Sequence, residues 1–311
     1  MFDVQFKDNK VIKTILGLLT CLLACTGVLA ETPERIPVSV SIAPMAFFAE
    51  KVGGDRVSVN VLLPPGRSPA TYAPTPAQVS MLTKSLLLFR VGVPFENALL
   101  SGIESSGKDL HVIDTRKGIP LRRFDGETHA HGEHNGHVED EAHASHVKEG
   151  YDPHIWLDPL LVKKQAATMR DALTAVDPDG AKIYRENCRL FEKELENLDA
   201  RVKDVLAPVK GSSLLVFHPS FGYFADAYGL RQVAVETAGK SPKGKELTRL
   251  IKMAKKENVR TIFVQPQFDK HAAEKIAAAI DGTTVSLDPM SRDFIRNMEA
   301  MAHAVAEALK Q

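Results

Sequence analysis

His129, His131, His134, His137, His143 and His146 fall within one stretch, Thr128 to His146, that reads THAHGEHNGHVEDEAHASH. Six of the chain's 11 histidines therefore share a single polar segment. Neutral imidazole is the commonest protein ligand for borderline metals such as Zn²⁺. A His-rich tract that lacks the apolar residues to build a core reads as metal binding; a solvated loop with incidental histidines is the plainer alternative. Residues 125–150 also carry Asp125, Glu127, Glu133, Glu139, Asp140, Glu141 and Glu149 against Lys148 alone. The insert is thus acidic as well as His-rich, and is expected to be mobile without metal.

Three further residues could ligate a metal. His218 ends the run LLVFHPSFGYF, Asp288 ends TTVSLDPM, and His154 lies at the polar-to-apolar step DPHIWLDP. All three are read as strand-to-loop junctions, where open α/β sheets place their ligands. Two imidazoles and a carboxylate suit Zn²⁺ or Mn²⁺, with metal–ligand distances of about 2.0–2.2 Å for zinc. A set of two His and one carboxylate with open positions also describes an iron or hydrolytic zinc enzyme. That alternative needs a general base, for which Glu236 is the candidate. No nucleophile motif such as G-x-S-x-G is present. A second alternative is a metal-storing surface protein in which the His-rich loop works alone.

The elements that must position these residues follow from periodicity. Short Val-rich strands are expected at 37–41 and 57–63, with a helix at 44–52 between them. A helix over 77–83, a doubly buried strand over 85–91, a helix over 94–101 and a strand over 111–113 follow. Asp158-Pro159 predicts a capped helix over 160–175, and Asp177-Pro178 starts a long one over 179–206. The long helix shows Ile183, Leu190, Leu195, Leu198, Val202 and Val205 near a 3.6-residue period. At 1.5 Å per residue it is a rod of roughly 40 Å, which resists hinge bending as a Gly/Ser linker would not. Strands at 214–218, 232–235, 261–264 and 284–287 then alternate with helices at 220–228, 244–257, 269–280 and 292–309. Alternation of this kind predicts α/β architecture with parallel sheets. No internal repeat is visible in sequence, but the two halves share one architecture.

Composition bounds the function. With 44% hydrophobic and 25% charged residues over 311 positions, the chain is an ordinary globular protein long enough for two lobes. Lys+Arg and Asp+Glu balance at 39 each, which gives no support to nucleic-acid binding. Lys7, Lys10 and Lys13 precede the apolar run 14–29, and Val28 and Ala30 fit a signal-peptide cleavage site. Residues 1–30 are therefore expected to be a removed leader and the protein to be periplasmic. Leu22-Leu23-Ala24-Cys25 looks like an imperfect lipoprotein box, so a lipid anchor at Cys25 is the alternative. After cleavage only Cys188 remains, in a helical pattern that suggests a structural role.

The segments PPGRSPATYAPTP (64–76), DPHIWLDP (152–159), VFHPSFGYFADAYGL (216–230), FVQPQF (263–268) and SLDP (286–289) carry a family resemblance. Across nearly all of residues 37–310 the chain resembles the exported solute-binding proteins of zinc/manganese ABC importers, which have a TroA-like fold. The His-rich acidic loop stands just before DPHIWLDP, as in the zinc-uptake members. The resemblance implies two α/β lobes, each with a mostly parallel sheet flanked by helices, joined by one long rigid helix, with the metal cleft between them. The lobes would span 31–176 and 209–311, with 177–208 as the link. It implies metal ligands at His154, His218 and Asp288, Zn(II) as the transported ligand with Mn(II) second, and an ABC permease as partner. The expected form is a monomer without enzymatic activity. One ligand does not carry over: Ala70 in SPATYAPTP stands where the family has His, and Ala73 and Gln265 stand where Glu is common. Three ligands and a water, recruitment of a loop imidazole, or drift to another ligand are the readings that this departure leaves open.

Overall fold

The alternation of strand and helix resolves into two four-stranded parallel sheets. The computed structural model describes residues 35–104, 110–124, 150–236 and 244–310. The proposed leader and all six histidines of the insert lie outside these residues.

The first sheet has the order β2-β1-β3-β4, built from β1 (Ile36–Val40), β2 (Val57–Val61), β3 (Leu87–Arg90) and β4 (His111–Asp114). The second has the order β6-β5-β7-β8, from β5 (Ser213–Val216), β6 (Arg231–Ala234), β7 (Thr261–Val264) and β8 (Thr283–Ser286). Every pairing within both sheets is parallel. The two halves thus repeat one strand order although their sequences show no repeat. Crossovers are helical, as parallel neighbours require. In the first half they are α1 (Ala43–Gly53), α2 (Pro76–Leu82) and α3 (Glu96–Glu104); in the second, α6 (Gly222–Tyr228), α7 (Lys245–Lys256) and α8 (Lys270–Ala279). Between the halves run α4 (Pro159–Val176) and α5 (Ala181–Leu206), and α9 (Phe294–Leu309) closes the chain.

Local chemistry explains the boundaries. Thr75 and Gln78 form a reciprocal capping box at the start of α2. The Asp158 carboxylate accepts from Leu160 N at 2.8 Å, ahead of Pro159 at the first helical position of α4. Asp177 ends α4 and caps the 3₁₀ turn Pro178–Gly180 that precedes α5. Arg56 grips the same carboxylate with two N–H···O bonds of 2.7 and 2.8 Å, and the Tyr184 hydroxyl shares it.

At 26 residues, α5 is a rod of about 39 Å. Its buried stripe is Tyr184, Cys188, Phe191, Leu195, Leu198, Val202 and Leu206. Ile183 and Leu190, expected on that stripe, are instead 44% and 53% exposed. The helical phase set by Leu195, Leu198 and Val202 runs back in steps of three and four to Phe191, Cys188 and Tyr184. Positions 183 and 190 fall about 100° away from it.

The principal core is continuous from Val38 on the first sheet to Ala306 on α9. Phe48 of α1, Phe191 of α5 and Phe294 of α9 meet there; the Phe48 and Phe294 rings are edge-to-face at 4.9 Å, and Phe48 and Phe191 lie 6.0 Å apart. The last helix of the chain therefore packs into the first half. A smaller core lies on the second sheet among Leu215, Phe217, Ile262, Val264, Ala273 and Ala277. Among the described residues no helix is long and apolar enough to cross a membrane.

Candidate metal centre

The second sheet ends its four strands in four polar residues. His218 stands two positions beyond β5, Glu236 two beyond β6, Gln265 one beyond β7 and Asp288 two beyond β8. Ladder-like bonds carry the strands that far: Phe217 N donates to Phe263 O at 2.8 Å, Glu236 N to Phe217 O at 2.9 Å and Leu287 N to Val264 O at 3.0 Å. β5 lies between β6 and β7, so His218 projects at the point where the strand order reverses, the usual ligand crevice of an open parallel sheet.

His218 is fixed on several sides. Gln265 Nε2 donates to the His218 carbonyl at 2.7 Å, and His218 N donates back to Gln265 Oε1 at 3.4 Å. The His218 ring stacks on Phe268 with centroids 4.6 Å apart and planes 22° from parallel. Its Nδ1 is 3.0 Å from Glu236 Oε2. A carboxylate accepts only, so this contact assigns the proton to Nδ1 and leaves the lone pair on Nε2. Burial lowers the His218 pKa from 6.5, opposed by the hydrogen bond that Nδ1–H donates to Glu236; nearby His154 lowers it further. Neutral imidazole is the ligand form.

His154 reaches the site by a different route. Arg122–Phe124 and Gly150–Asp152 form a short antiparallel ribbon, with Phe124 N donating to Gly150 O at 3.1 Å and Asp152 N to Arg122 O at 2.9 Å. This ribbon, not a strand of the main sheet, carries His154, which opens the 3₁₀ turn Ile155–Leu157. That corrects the expectation of a strand-to-loop junction. The Asp152 carboxylate is fully buried, and its Oδ1 accepts from His154 N at 3.0 Å and meets His154 Nδ1 at 2.6 Å. His154 is itself buried, with the Trp156 ring 5.1 Å and the Phe124 ring 6.4 Å from its own.

The fold brings the two imidazoles together: their centroids lie 5.8 Å apart at 76°. A metal about 2.1 Å from each Nε2 would place two ring centroids roughly 5–6 Å apart, so the spacing fits a shared ion. Asp288 is not gathered with them into a ready trio. Its Oδ1 accepts from Gln267 Nε2 at 2.9 Å and from Met290 N at 3.0 Å. Among the described residues no group of three or more His, Cys, Asp or Glu side chains stands within metal-holding range. Ala70 is exposed on the loop between β2 and α2 and offers no side-chain donor.

The residues that orient the imidazoles escaped the sequence reading. The signal for Asp152 is its Asp-x-His spacing with Pro153 between, the pattern of an Asx turn, in which the carboxylate bonds backbone two residues on. Glu236 is the general-base candidate of the sequence; the structure commits it to His218 Nδ1. Gln265 was noted as a departure, and it clamps the His218 backbone. Cys188 is buried and burial pushes its thiol pKa up to about 12, in keeping with a structural role.

Known proteins are similar to this chain over most of its length. A "putative metal-binding protein" of Chlamydia muridarum is 27% identical over 297 residues, covering 93% of this chain and 99% of the relative. The high-affinity zinc uptake system protein ZnuA of Yersinia pestis is 26% identical over 312 residues, covering 97% of each. A crystal structure of ZnuA superposes with a TM-score of 0.78 at 34% identity, covering 89% of this chain and 100% of that one. The family model of ZnuA, the periplasmic component A of zinc-uptake complexes, matches residues 38–308, and the chain belongs to that family.

Proposed function

We propose that the protein captures Zn(II) between its two sheets, with His154, His218 and Asp288 as ligands, and delivers it to a membrane permease. As a member of the ZnuA family it is a metal-binding solute-binding component of an ABC importer for zinc or manganese and not an enzyme. The observation that carries the ligand assignment is the imidazole pair. His154 and His218 stand 5.8 Å apart, each with Nδ1 on a buried carboxylate and Nε2 left to a metal. Asp288 joins by giving up its hydrogen bond from Gln267. With Ala70 in place of a fourth protein ligand, water completes the shell, which suits reversible capture better than a closed structural site does.

Imidazole ligands favour Zn(II) over Mn(II), which prefers oxygen. The metalloenzyme reading loses its general base, because Glu236 holds His218. The protein works as a monomer of two lobes, 31–176 and 209–311, linked through 177–208. It acts in the periplasm after loss of residues 1–30, or at the surface if anchored at Cys25. The insert histidines His129 to His146 gather metal at lower affinity.

The test is competitive Zn²⁺ titration of three proteins: the chain from Glu31, a deletion of residues 128–146, and His154→Ala. Tight 1:1 binding that survives the deletion and fails in His154→Ala is expected. Tight binding that vanishes with the deletion yet persists in His154→Ala would instead assign the metal to the insert alone.

A further inference from the structure

The group behind His154 is larger than one carboxylate. Asp152 is fully buried, and burying a lone charge is costly unless it is paired. Its Oδ1 serves His154, through both the backbone N–H and Nδ1. Its Oδ2 receives Arg122 Nη1 at 3.1 Å. Arg122 is anchored in turn by helix α6 of the other half: its Nε donates to Asp226 Oδ2 at 3.0 Å, and its backbone N–H donates to the Tyr223 hydroxyl at 2.9 Å. That hydroxyl donates onward to the Asp152 carbonyl at 3.2 Å. Gly222 opens α6, and a Cβ there would lie 1.6 Å from Arg122 Nη1 and 2.6 Å from Asp152 Oδ2. Only a residue without a side chain leaves the space that the ion pair occupies.

We infer that Asp152 is the positioning residue for capture at His154 and acts as one unit with Arg122 and Gly222. The carboxylate holds the His154 proton on Nδ1 and so keeps Nε2 free for the metal. Arg122 holds the carboxylate, and α6 of the opposite half supplies both the anchor for Arg122 and the gap at Gly222. Presentation of one ligand on the first half therefore depends on docking of the second. Carboxylate–histidine–metal chains of this kind raise ligand basicity and fix the ring, and their loss typically lowers metal affinity 10- to 100-fold. The inference rests on the reading of His154 as a ligand.

The experiment records long-range ¹H–¹⁵N correlations of histidine-labelled, metal-free protein, with the His154 signal assigned by its loss in His154→Ala. Wild type is expected to show His154 as the Nδ1–H tautomer. Asp152→Asn, in which the amide cannot accept from both His154 and remain an acceptor for Arg122, is expected to populate Nε2–H. It should also weaken Zn²⁺ binding roughly 10- to 100-fold. Gly222→Ala, whose Cβ would crowd both Arg122 Nη1 and Asp152 Oδ2, should weaken binding too. An Nε2–H tautomer in the wild type would overturn the inference without recourse to any variant. So would Zn²⁺ affinities within twofold of wild type in both folded variants. His154→Ala separates this from the ligand assignment. Unchanged affinity there would sink the assignment itself, whereas lost affinity there beside unchanged affinity in Asp152→Asn would sink the inference alone.

Discussion

Trp156 donates its indole N–H to the carbonyl oxygen of Pro289 at 2.7 Å, in a fully buried setting. Two residues before Trp156 stands His154, and one before Pro289 stands Asp288. This bond ties the turn that carries an imidazole to the loop that carries the carboxylate, although 133 residues separate its partners. Trp156→Phe keeps most of the ring but orphans the carbonyl. It is expected to cost about 1–3 kcal/mol, read as a lower midpoint in urea unfolding followed by circular dichroism. The chain has a single Trp, so intrinsic tryptophan fluorescence of the wild type reports on this junction alone, 5.1 Å from the His154 ring. Zn²⁺ should perturb that fluorescence, and should not do so in His154→Ala.

Phe294 couples the end of the chain to its beginning. It packs edge-to-face on Phe48 and is 2% exposed. Phe294→Ala is expected to destabilise by about 3–5 kcal/mol. Because the principal core draws on both sheets, loss should appear as a single transition at lower denaturant rather than as early melting of one half. Two separated transitions in that variant would show that the halves unfold independently.

Acid stability should depend on Asp177. Arg56 beside it, with the Tyr184 hydroxyl, holds its carboxyl below the ordinary 3.8 and outweighs the cost of partial burial. The folded state then binds fewer protons than the unfolded chain over that interval, so stability rises with pH there. The contribution is present above about pH 3.8 and is lost as pH falls through the lower folded value. Asp177→Asn should be less stable near neutrality, and the difference from wild type should shrink below about pH 4. Thermal midpoints measured between pH 3 and 7 check both signs.

Cys188 lies 1% exposed in α5, with its thiol pKa pushed up to about 12 by burial, and Glu192 adds to the shift. Thiolate is the reactive form. In the native protein freed of residues 1–30, thiol reagents at pH 8 are expected to leave Cys188 unmodified, and to label it fully in denaturant. Rapid labelling of the folded protein would refute its place in the buried stripe.

Much of this was legible in the chain itself. β7 is legible at Thr261–Val264, where the structure has it, because a β-branched and aromatic run between a turn and Gln265-Pro266 admits little else. α4 was legible from Asp158-Pro159, a capping carboxylate ahead of Pro at the first helical position. His218 could be placed at the end of a strand because period and breaker agree at Pro219; β5 itself closes two residues earlier, at Val216. These are local signals, decided within one turn or one strand. The phase of α5 was not legible at its N-terminal end, where Tyr184, Cys188 and Phe191 competed with Ile183 and Leu190 as equally apolar choices. Only the surfaces of α1, α4 and α9 select between them.

Residue type and spacing determined that this chain would be α/β with parallel sheets and marked His154 and His218 as candidate ligands. Tertiary structure decided which atoms of those histidines are free. Asp152 and Glu236 take Nδ1 of His154 and His218 only after the ribbon at 122–152 and the ends of β5 and β6 are in place. The two rings, 64 positions apart in sequence, come within 5.8 Å only when both halves pack about α5. Periodicity reports which face of an element is apolar. The partner of a buried polar atom is set by the meeting of elements, and a one-dimensional pattern does not encode that meeting.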